Sequence, residues 1–517
     1  MKVLPVCKGE NMFSRILSAA ICGIEGLPIQ VEADVSNGLP GFTMVGDVSA
    51  KVREAQDRVM TAFRNSKIRL QPQRITVNLS PADVHKDGTG FDLPVALAVL
   101  MAYQLISPDA ARGVMAVGEL SLNGAVMGVR GVLPMVQAAK RAGCRACILP
   151  RENQEEGDLI PGIEIIGVAS LEEAVSCLKD GKAPQNRECT PYYIEETQSL
   201  DFSCLNGQSV LRRAAEIAVS GRHNFLMVGP PGAGKSMLAK CVPGILPPLT
   251  REESLEVSAI YSVAGLLPVS QPLVTRPPFR APHHTISAQA LAGGGRIPRP
   301  GEISLAHKGV LFLDELPEFR RETLEVLRQP REEKKVHIAR VHANYVFPAD
   351  CMVLGAMNLC RCGYFPDLQH CTCSEQEIRR YQNRISQPLL DRMDICVEAG
   401  KVTYEELTSV QENESSATIQ RRVEQVSRIQ QERYQGTRFR FNADLDAEGI
   451  RQYCQIGEKE QSILREAYQK LGLTARACHR ILKVARTIAD MEYKEKIQED
   501  QLCEAISYRI FENQFRR

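Results

Sequence analysis

Apolar positions fall into three regimes along the chain. In the first, short runs with the two-residue alternation of half-buried strands, 29–35 and 75–79, mix with runs at helical spacing, 50–65 and 133–142. That mixture predicts an α+β domain. The run 16–24 reads as its first buried strand and not as a secretory leader, because it is short, Glu25 follows it and no small-residue cleavage site is in place. From about residue 210 the pattern becomes helix, buried strand 224–228, glycine-rich loop and helix, with further buried strands at 310–313 and 352–357. Short apolar strands separated by helices predict a parallel sheet covered on both faces. From about residue 418 only helical spacing remains. Between the first two regimes, residues 179–206 turn polar and read as a linker. The expected division is therefore 1–185, a linker 186–206, a nucleotide-binding core 207–400 and a helical lid 401–517. More than one hydrophobic core is expected at 517 residues.

The strongest chemical signal sits between the strand 224–228 and the helix after it. Gly229, Pro230, Pro231, Gly232, Ala233, Gly234, Lys235 and Ser236, with Met237 opening the helix, form a phosphate-binding loop. Backbone N–H groups can surround a phosphate there because glycine permits the required backbone angles; Lys235 adds charge and the Ser236 hydroxyl can ligate Mg²⁺. At the end of the strand 310–313, Asp314 is placed to hold the Mg²⁺ shell and Glu315 to polarise an attacking water. A third strand ends in Asn358, a position from which an amide reaches a γ-phosphate. The pattern predicts ATP binding and hydrolysis with Mg²⁺. Arg392, in Pro388-Leu-Leu-Asp-Arg392, has the context of an arginine finger offered to a neighbouring copy, and Arg476 in the helical tail that of a sensor of the same phosphate.

Composition narrows the partners. A net charge of +1 confines any nucleic-acid contact to a local basic surface. The segment 332–344 alternates as two short strands would and carries Lys334, Lys335 and Arg340. Seventeen cysteines amid phosphate-loop chemistry fit a reducing cytoplasm. The longest apolar stretch, 93–103, is too short to cross a membrane. Four cysteines crowd together, Cys360, Cys362, Cys371 and Cys373, and could hold Zn²⁺, with His370 as a substitute ligand. His283 and His284 have no partner at ligand spacing and read as structural.

These residues resemble the ComM/YifB family of magnesium-chelatase-like AAA+ ATPases. The resemblance rests on Val35-Ser-Asn-Gly-Leu-Pro-Gly41, Arg74-Ile-Thr-Val-Asn-Leu-Ser-Pro81, Phe279-Arg-Ala-Pro-His-His-Thr285, Arg299-Pro-Gly-Glu-Ile-Ser-Leu305 and Leu313-Asp-Glu-Leu-Pro-Glu-Phe319, and runs from about Met12 to about Arg509. Gly46-Asp-Val-Ser-Ala50 departs from the family's usual Gly-Leu-Pro-Asp. The resemblance implies a Lon-protease-like (ribosomal S5-type) α+β domain, a P-loop AAA+ module with an insertion and a helical lid. It also implies a homo-oligomeric ring of six, a helicase that drives branch migration on DNA, and a hairpin projecting into the pore whose Lys334, Lys335 and Arg340 are the expected contacts to the DNA backbone. Two other classes are weighed against it. A Lon-type protease needs a serine activated by a lysine, and those positions carry Gly90 and Leu133. A chelatase accessory or protein-remodelling ATPase stays open; no Asp-x-Ser-x-Ser metal motif occurs, and Asp34-Val-Ser36-Asn-Gly38 fails at its last position.

Overall fold

The computed structural model describes residues 12–180, 200–340, 343–401, 403–405 and 413–510. Most of the expected linker lies outside them. The described residues form two compact units. The first takes the residues up to 180 together with Ser254–Val274 and His337–Phe347; the second takes the rest. A division into contiguous stretches anticipates neither excursion.

The first unit is built on a seven-stranded mixed sheet. Phe13–Cys22 and Glu25–Ser36 form a long antiparallel hairpin at its centre, turning at Gly23 (φ 66°). Arg74–Ser80 pairs antiparallel to the second of these strands, and Gly41–Val45 forms the edge. On the other side Val114–Ala116, Ala146–Pro150 and Glu164–Val168 run parallel to one another. The longest apolar run becomes the helix Asp92–Ala102, every residue of which is buried, so it needs no polar face. The helix expected over 50–65 is two pieces, Ala50–Arg53 and Ala55–Asn65. Gly90 and Leu133 sit in apolar surroundings: a Cβ at Gly90 would meet Val117 Cγ1 at 3.3 Å, and Leu133 is fully buried.

The second unit holds a five-stranded parallel sheet in the order Phe279–Arg280, Val310–Leu313, Met352–Met357, Phe225–Val228, Ile395–Glu398. The three central strands are completely buried, which their uninterrupted apolar sequences require of a sheet covered on both faces. The tail helices Ser416–Arg433, Ala447–Tyr453, Glu458–Leu471, Ala475–Met491 and Glu499–Ile510 form the lid. Lid and sheet share one hydrophobic core. Buried polar bonds fix their register: the fully buried His223 meets Thr487 Oγ1 at 2.7 Å, and Gln430 Nε2 donates to Ser220 O at 2.9 Å. Among the described residues no helix is long and apolar enough to cross a membrane.

Candidate nucleotide site and arginine face

The phosphate loop leaves the carboxyl end of Phe225–Val228. Gly232 and Gly234 adopt φ of 78° and 80°, where a side chain would be strained although space is open around both. Lys235 opens the next helix almost fully buried, its Nζ donating to Gly229 O (2.7 Å), Pro230 O (2.8 Å) and Asn358 Oδ1 (3.1 Å). Burial pulls its pKa down to about 8, with Asp314 opposing the shift. The Ser236 hydroxyl donates to Asp314 Oδ2 at 2.7 Å, and the Glu315 N–H donates to Asp314 Oδ1 at 2.9 Å. Three adjacent strands thus bring Lys235, Ser236, Asp314, Glu315 and Asn358 together. A hydroxyl beside a carboxylate is the oxygen donor set that suits Mg²⁺. Met237 follows on the half-exposed side of the helix.

Glu315 has the left-handed φ of 51°, a conformation that costs a non-glycine residue about 1–3 kcal/mol. Its Oε2 lies 3.0 Å from His284 Nδ1. His284 lies against His283 at a tilt of 33° (centroids 4.1 Å apart) and meets Phe319 edge-on (6.4 Å). The sequence reading of His284 as merely structural missed this contact. The available signal was its place: it follows Phe279–Arg280, the strand that pairs directly with Val310–Leu313.

Arg392 and Arg476 do not join this group. They line one cavity of about 380 Å³ together with Arg222, Asn224, Met352, Asp394 and Arg480. Asn224 precedes the phosphate-loop strand and Met352 begins the sensor strand, so the cavity lies at the amino ends of the strands whose carboxyl ends carry the nucleotide residues. Strands of four to six residues at about 3.3 Å each separate the two ends. Arg392 is held in place from behind. The Asn224 amide donates to Arg392 O (3.4 Å), Asn224 N to Asp394 Oδ2 (3.0 Å), and buried Arg509 to Met393 O. Burial works against the Asp394 charge, but His223, Arg480 and Lys483 outweigh it and hold its pKa low.

The basic hairpin consists of Lys335–Ala339 and Asn344–Pro348, displaced toward the carboxyl side of the expected 332–344 because Glu332 and Glu333 end a helix. Two expectations change here. Lys334 bridges Asp350 (3.2 Å) and Asp444 (2.5 Å) on the wall of the arginine cavity, so it is committed to two carboxylates and is a poor DNA contact. The hairpin's strands do not stand apart: residues 337–340 and 343–347 belong to the first unit, where a Cβ at Gly23 would meet Val346 O at 3.0 Å. Lys335 and Arg340 are exposed, Arg340 Nη1 donating to Ala339 O at 3.1 Å.

The four cysteines do converge. Their sulfurs lie within 4.8 Å of one another, with Cys360–Cys362 at 3.3 Å, Cys362–Cys371 at 3.5 Å and Cys360–Cys371 at 3.8 Å. Tetrahedral thiolates about 2.3 Å from zinc stand about 3.8 Å apart, so four soft donors at this spacing fit Zn²⁺. His370 is not among them; its Nδ1 pairs with Asp367 at 2.9 Å. The loop packs on the nucleotide site, since a Cβ at Gly363 (φ 86°) would meet Pro231 Cδ at 2.5 Å.

A parallel sheet in this order, with a phosphate loop, an acidic pair, a polar sensor strand and a helical lid, defines a magnesium-chelatase-like AAA+ ATPase. Residues 201–407 match the family described as magnesium chelatase, subunit ChlI; residues 31–153 match subunit ChlI of Mg-chelatase, and residues 413–509 its C-terminal family. The chain is 41% identical over 500 residues to the uncharacterized protein YifB of Escherichia coli, covering 96% of this chain and 97% of that one. It is 40% identical over 499 residues to the competence protein ComM of Haemophilus influenzae, again 96% and 97%. The chain belongs to the ComM/YifB family. Similarity to Lon protease 2 of Bacillus subtilis, 31% over 165 residues (31% of this chain, 29% of that), accompanies its Lon-like amino-terminal domain.

Proposed function

We propose that this chain hydrolyses ATP as a cytoplasmic homo-oligomeric ring, most simply a hexamer, and works as a motor on DNA. The observation that carries the ring is the separation of Lys235, Asp314 and Glu315 from Arg392 and Arg476 at opposite ends of one sheet. Two copies are needed to bring both groups to one nucleotide. In that arrangement the loop 229–237 cradles the triphosphate, Lys235 and Asn358 contact its terminal phosphate, and Ser236 and Asp314 hold Mg²⁺. Glu315 orients the lytic water, and the neighbour's Arg392 and Arg476 meet the charge that develops. Bound Mg²⁺ supplies charge neutralisation of the phosphates. Cys360, Cys362, Cys371 and Cys373 hold Zn²⁺, which braces the loop lying against Pro231.

DNA as substrate is supported by the relative named for competence and by exposed Lys335 and Arg340. ATP turnover measured with and without single-stranded, duplex and forked DNA tests it. Stimulation by at least one DNA is expected, with a Lys335→Gln/Arg340→Gln variant binding more weakly and with a flatter salt dependence. Turnover indifferent to every DNA, from a protein that hydrolyses ATP, would remove DNA from this reading and leave the ATPase.

A further inference from the structure

From Val257 to Gly301 the chain carries no aspartate or glutamate, although acidic residues number 62 of 517 overall. Four arginines lie in that run. Arg280 is internally neutralised, its Nε and Nη2 forking onto Glu302 at 2.6 and 2.8 Å. Arg296 and Arg299 are not: both are exposed, and among the described residues neither enters an ion pair. They sit on a miniature antiparallel hairpin, Gly293–Gly294 against Arg299–Pro300, with Gly294 opposite Arg299. Gly293, Gly294 and Gly295 all take positive φ (103°, 150°, 106°), and a Cβ at Gly301 would meet Gly293 N at 2.3 Å, so glycine is required for the strands to close. Pro298 and Pro300 are buried, and the tip offers solvent two guanidinium groups and the 41%-exposed Ile297. Two uncompensated arginines flanking an exposed apolar side chain suit a flexible polyanion with flat bases, because guanidinium planes meet phosphates and lie on base faces while Ile297 adds apolar contact, which is the chemistry of single-stranded nucleic acid.

The root of this hairpin leads to the catalytic carboxylate. Gly294 packs on Gln289 of the helix Ala288–Ala292, which Ser287 caps through Ala290 N (3.1 Å). Ile286 O accepts from Thr323 Oγ1 at 3.4 Å. Two residues before Ile286 stands His284, 3.0 Å from Glu315 Oε2. We infer that the hairpin 293–300 grips a single-stranded nucleic-acid backbone through Arg296 and Arg299, and that His284 relays its position to Glu315. His284 is a positioning residue: while it holds Glu315 Oε2, that oxygen is withheld from water, and a shift of the hairpin and its root helix alters the hold. This inference rests on the DNA reading above.

The test uses the full chain and fluorescein-labelled oligothymidylate, followed by anisotropy across a salt series, with ATP turnover measured in parallel. Arg296→Gln/Arg299→Gln is expected to flatten log affinity against log salt by about one to two units, at about 0.7 per lost phosphate contact. It should also abolish DNA stimulation while basal turnover stays unchanged. His284→Gln should keep oligothymidylate binding, change basal kcat several-fold at constant KM for ATP, and lose stimulation; His284→Ala should do the same without an amide to substitute. An Arg296/Arg299 variant with unchanged slope and stimulation overturns the inference while a weakened Lys335/Arg340 variant keeps the DNA reading. A wild-type protein that never binds oligothymidylate overturns the inference, and the DNA reading with it only where duplex and forked DNA also leave turnover unchanged. Polyglutamate displacing oligothymidylate at lower concentration would assign the hairpin to an acidic protein and overturn nucleic acid as its ligand. A His284→Gln enzyme of normal kcat and normal stimulation would overturn the relay.

Discussion

The two ends of the parallel sheet are built on opposite plans. At the carboxyl end, backbone does most of the work: glycines with positive φ open a loop, Lys235 already bonds to Gly229 O and Asn358 Oδ1, and Ser236 to Asp314. At the amino end there is no loop motif. Arg392, Arg476 and Arg480 line a cavity among Asp350, Asp391, Asp394 and Asp444, and their placement depends on a lid folded from residues far along the chain. One end is a finished phosphate cradle and the other is a set of charges in which Arg392 pairs with Glu332 and Arg480 with Asp394. A ring that joins the two would exchange those carboxylates for a phosphate, so hydrolysis would depend on assembly.

The sharpest way to break this comparison is to disable each end in a different subunit. Arg392→Ala is expected to lower kcat by about 10³-fold or more, the range of arginine fingers, while ATP still binds. Glu315→Gln is expected to lower kcat by on the order of 10²–10⁴-fold, also with ATP bound. Lys235→Ala instead removes charge-assisted bonds worth about 1.5–3 kcal/mol and shows chiefly as weaker nucleotide binding. If the ends meet across a boundary, mixing Arg392→Ala with Lys235→Ala chains restores turnover, because about a quarter of interfaces in an equal random mixture pair an intact loop with an intact arginine. No recovery in mixtures shown by native mass spectrometry to be heteromeric would place Arg392 in a cis role or none.

How much of this was legible depended on whether the information was local. The phosphate loop, Asp314, Glu315 and Asn358 are local: a buried strand followed by a fixed set of side chains announces each one, and the structure gathers them. What escaped reading is set by distance in the chain. Lys334 looked like a free cation because its partners Asp350 and Asp444 are non-local, the second brought in by the lid. His284 looked inert because Glu315 reaches it only through the pairing of an edge strand two residues long with Val310–Leu313. The contact of Gly363 with Pro231 leaves no periodic trace at all. Hydrophobic period reports which face is buried, and says nothing of which elements the fold later sets side by side.

That last contact lets the comparison be sharpened at the loop end. Purified protein prepared without chelator is expected to carry close to one zinc per chain, and Cys362→Ser to lose it. Because the cysteine loop rests on Pro231, the metal-free variant should bind ATP several-fold more weakly than wild type while its lid helices melt no earlier. Elemental analysis giving far less than one zinc in freshly prepared protein would assign the four thiols a reduced, metal-free role.

The smallest expected effect is a pH dependence that belongs to the loop end alone. Burial has lowered Lys235 to about 8 from its ordinary 10.5, so between those values the unfolded chain holds more protons at this site than the folded one. This lysine's contribution to stability therefore rises as pH goes from 8 to 10.5. ATP affinity should move the other way. A triphosphate against Nζ favours the charged amine and raises its pKa again, so binding takes up a proton once the free protein has begun to lose it. Affinity should be flat below about pH 8 and then fall, with a slope approaching tenfold per unit. The nucleotide's own terminal phosphate ionises near about pH 6 and adds nothing to that window. Titration with a fluorescent ATP analogue from pH 7 to 9.5 reads the slope directly, and Arg392→Ala should reproduce it unchanged, since an arginine stays charged throughout that range. An affinity that stays level through pH 9.5 would mean that Lys235 remains charged in its bed of loop carbonyls, and that Asp314 outweighs burial.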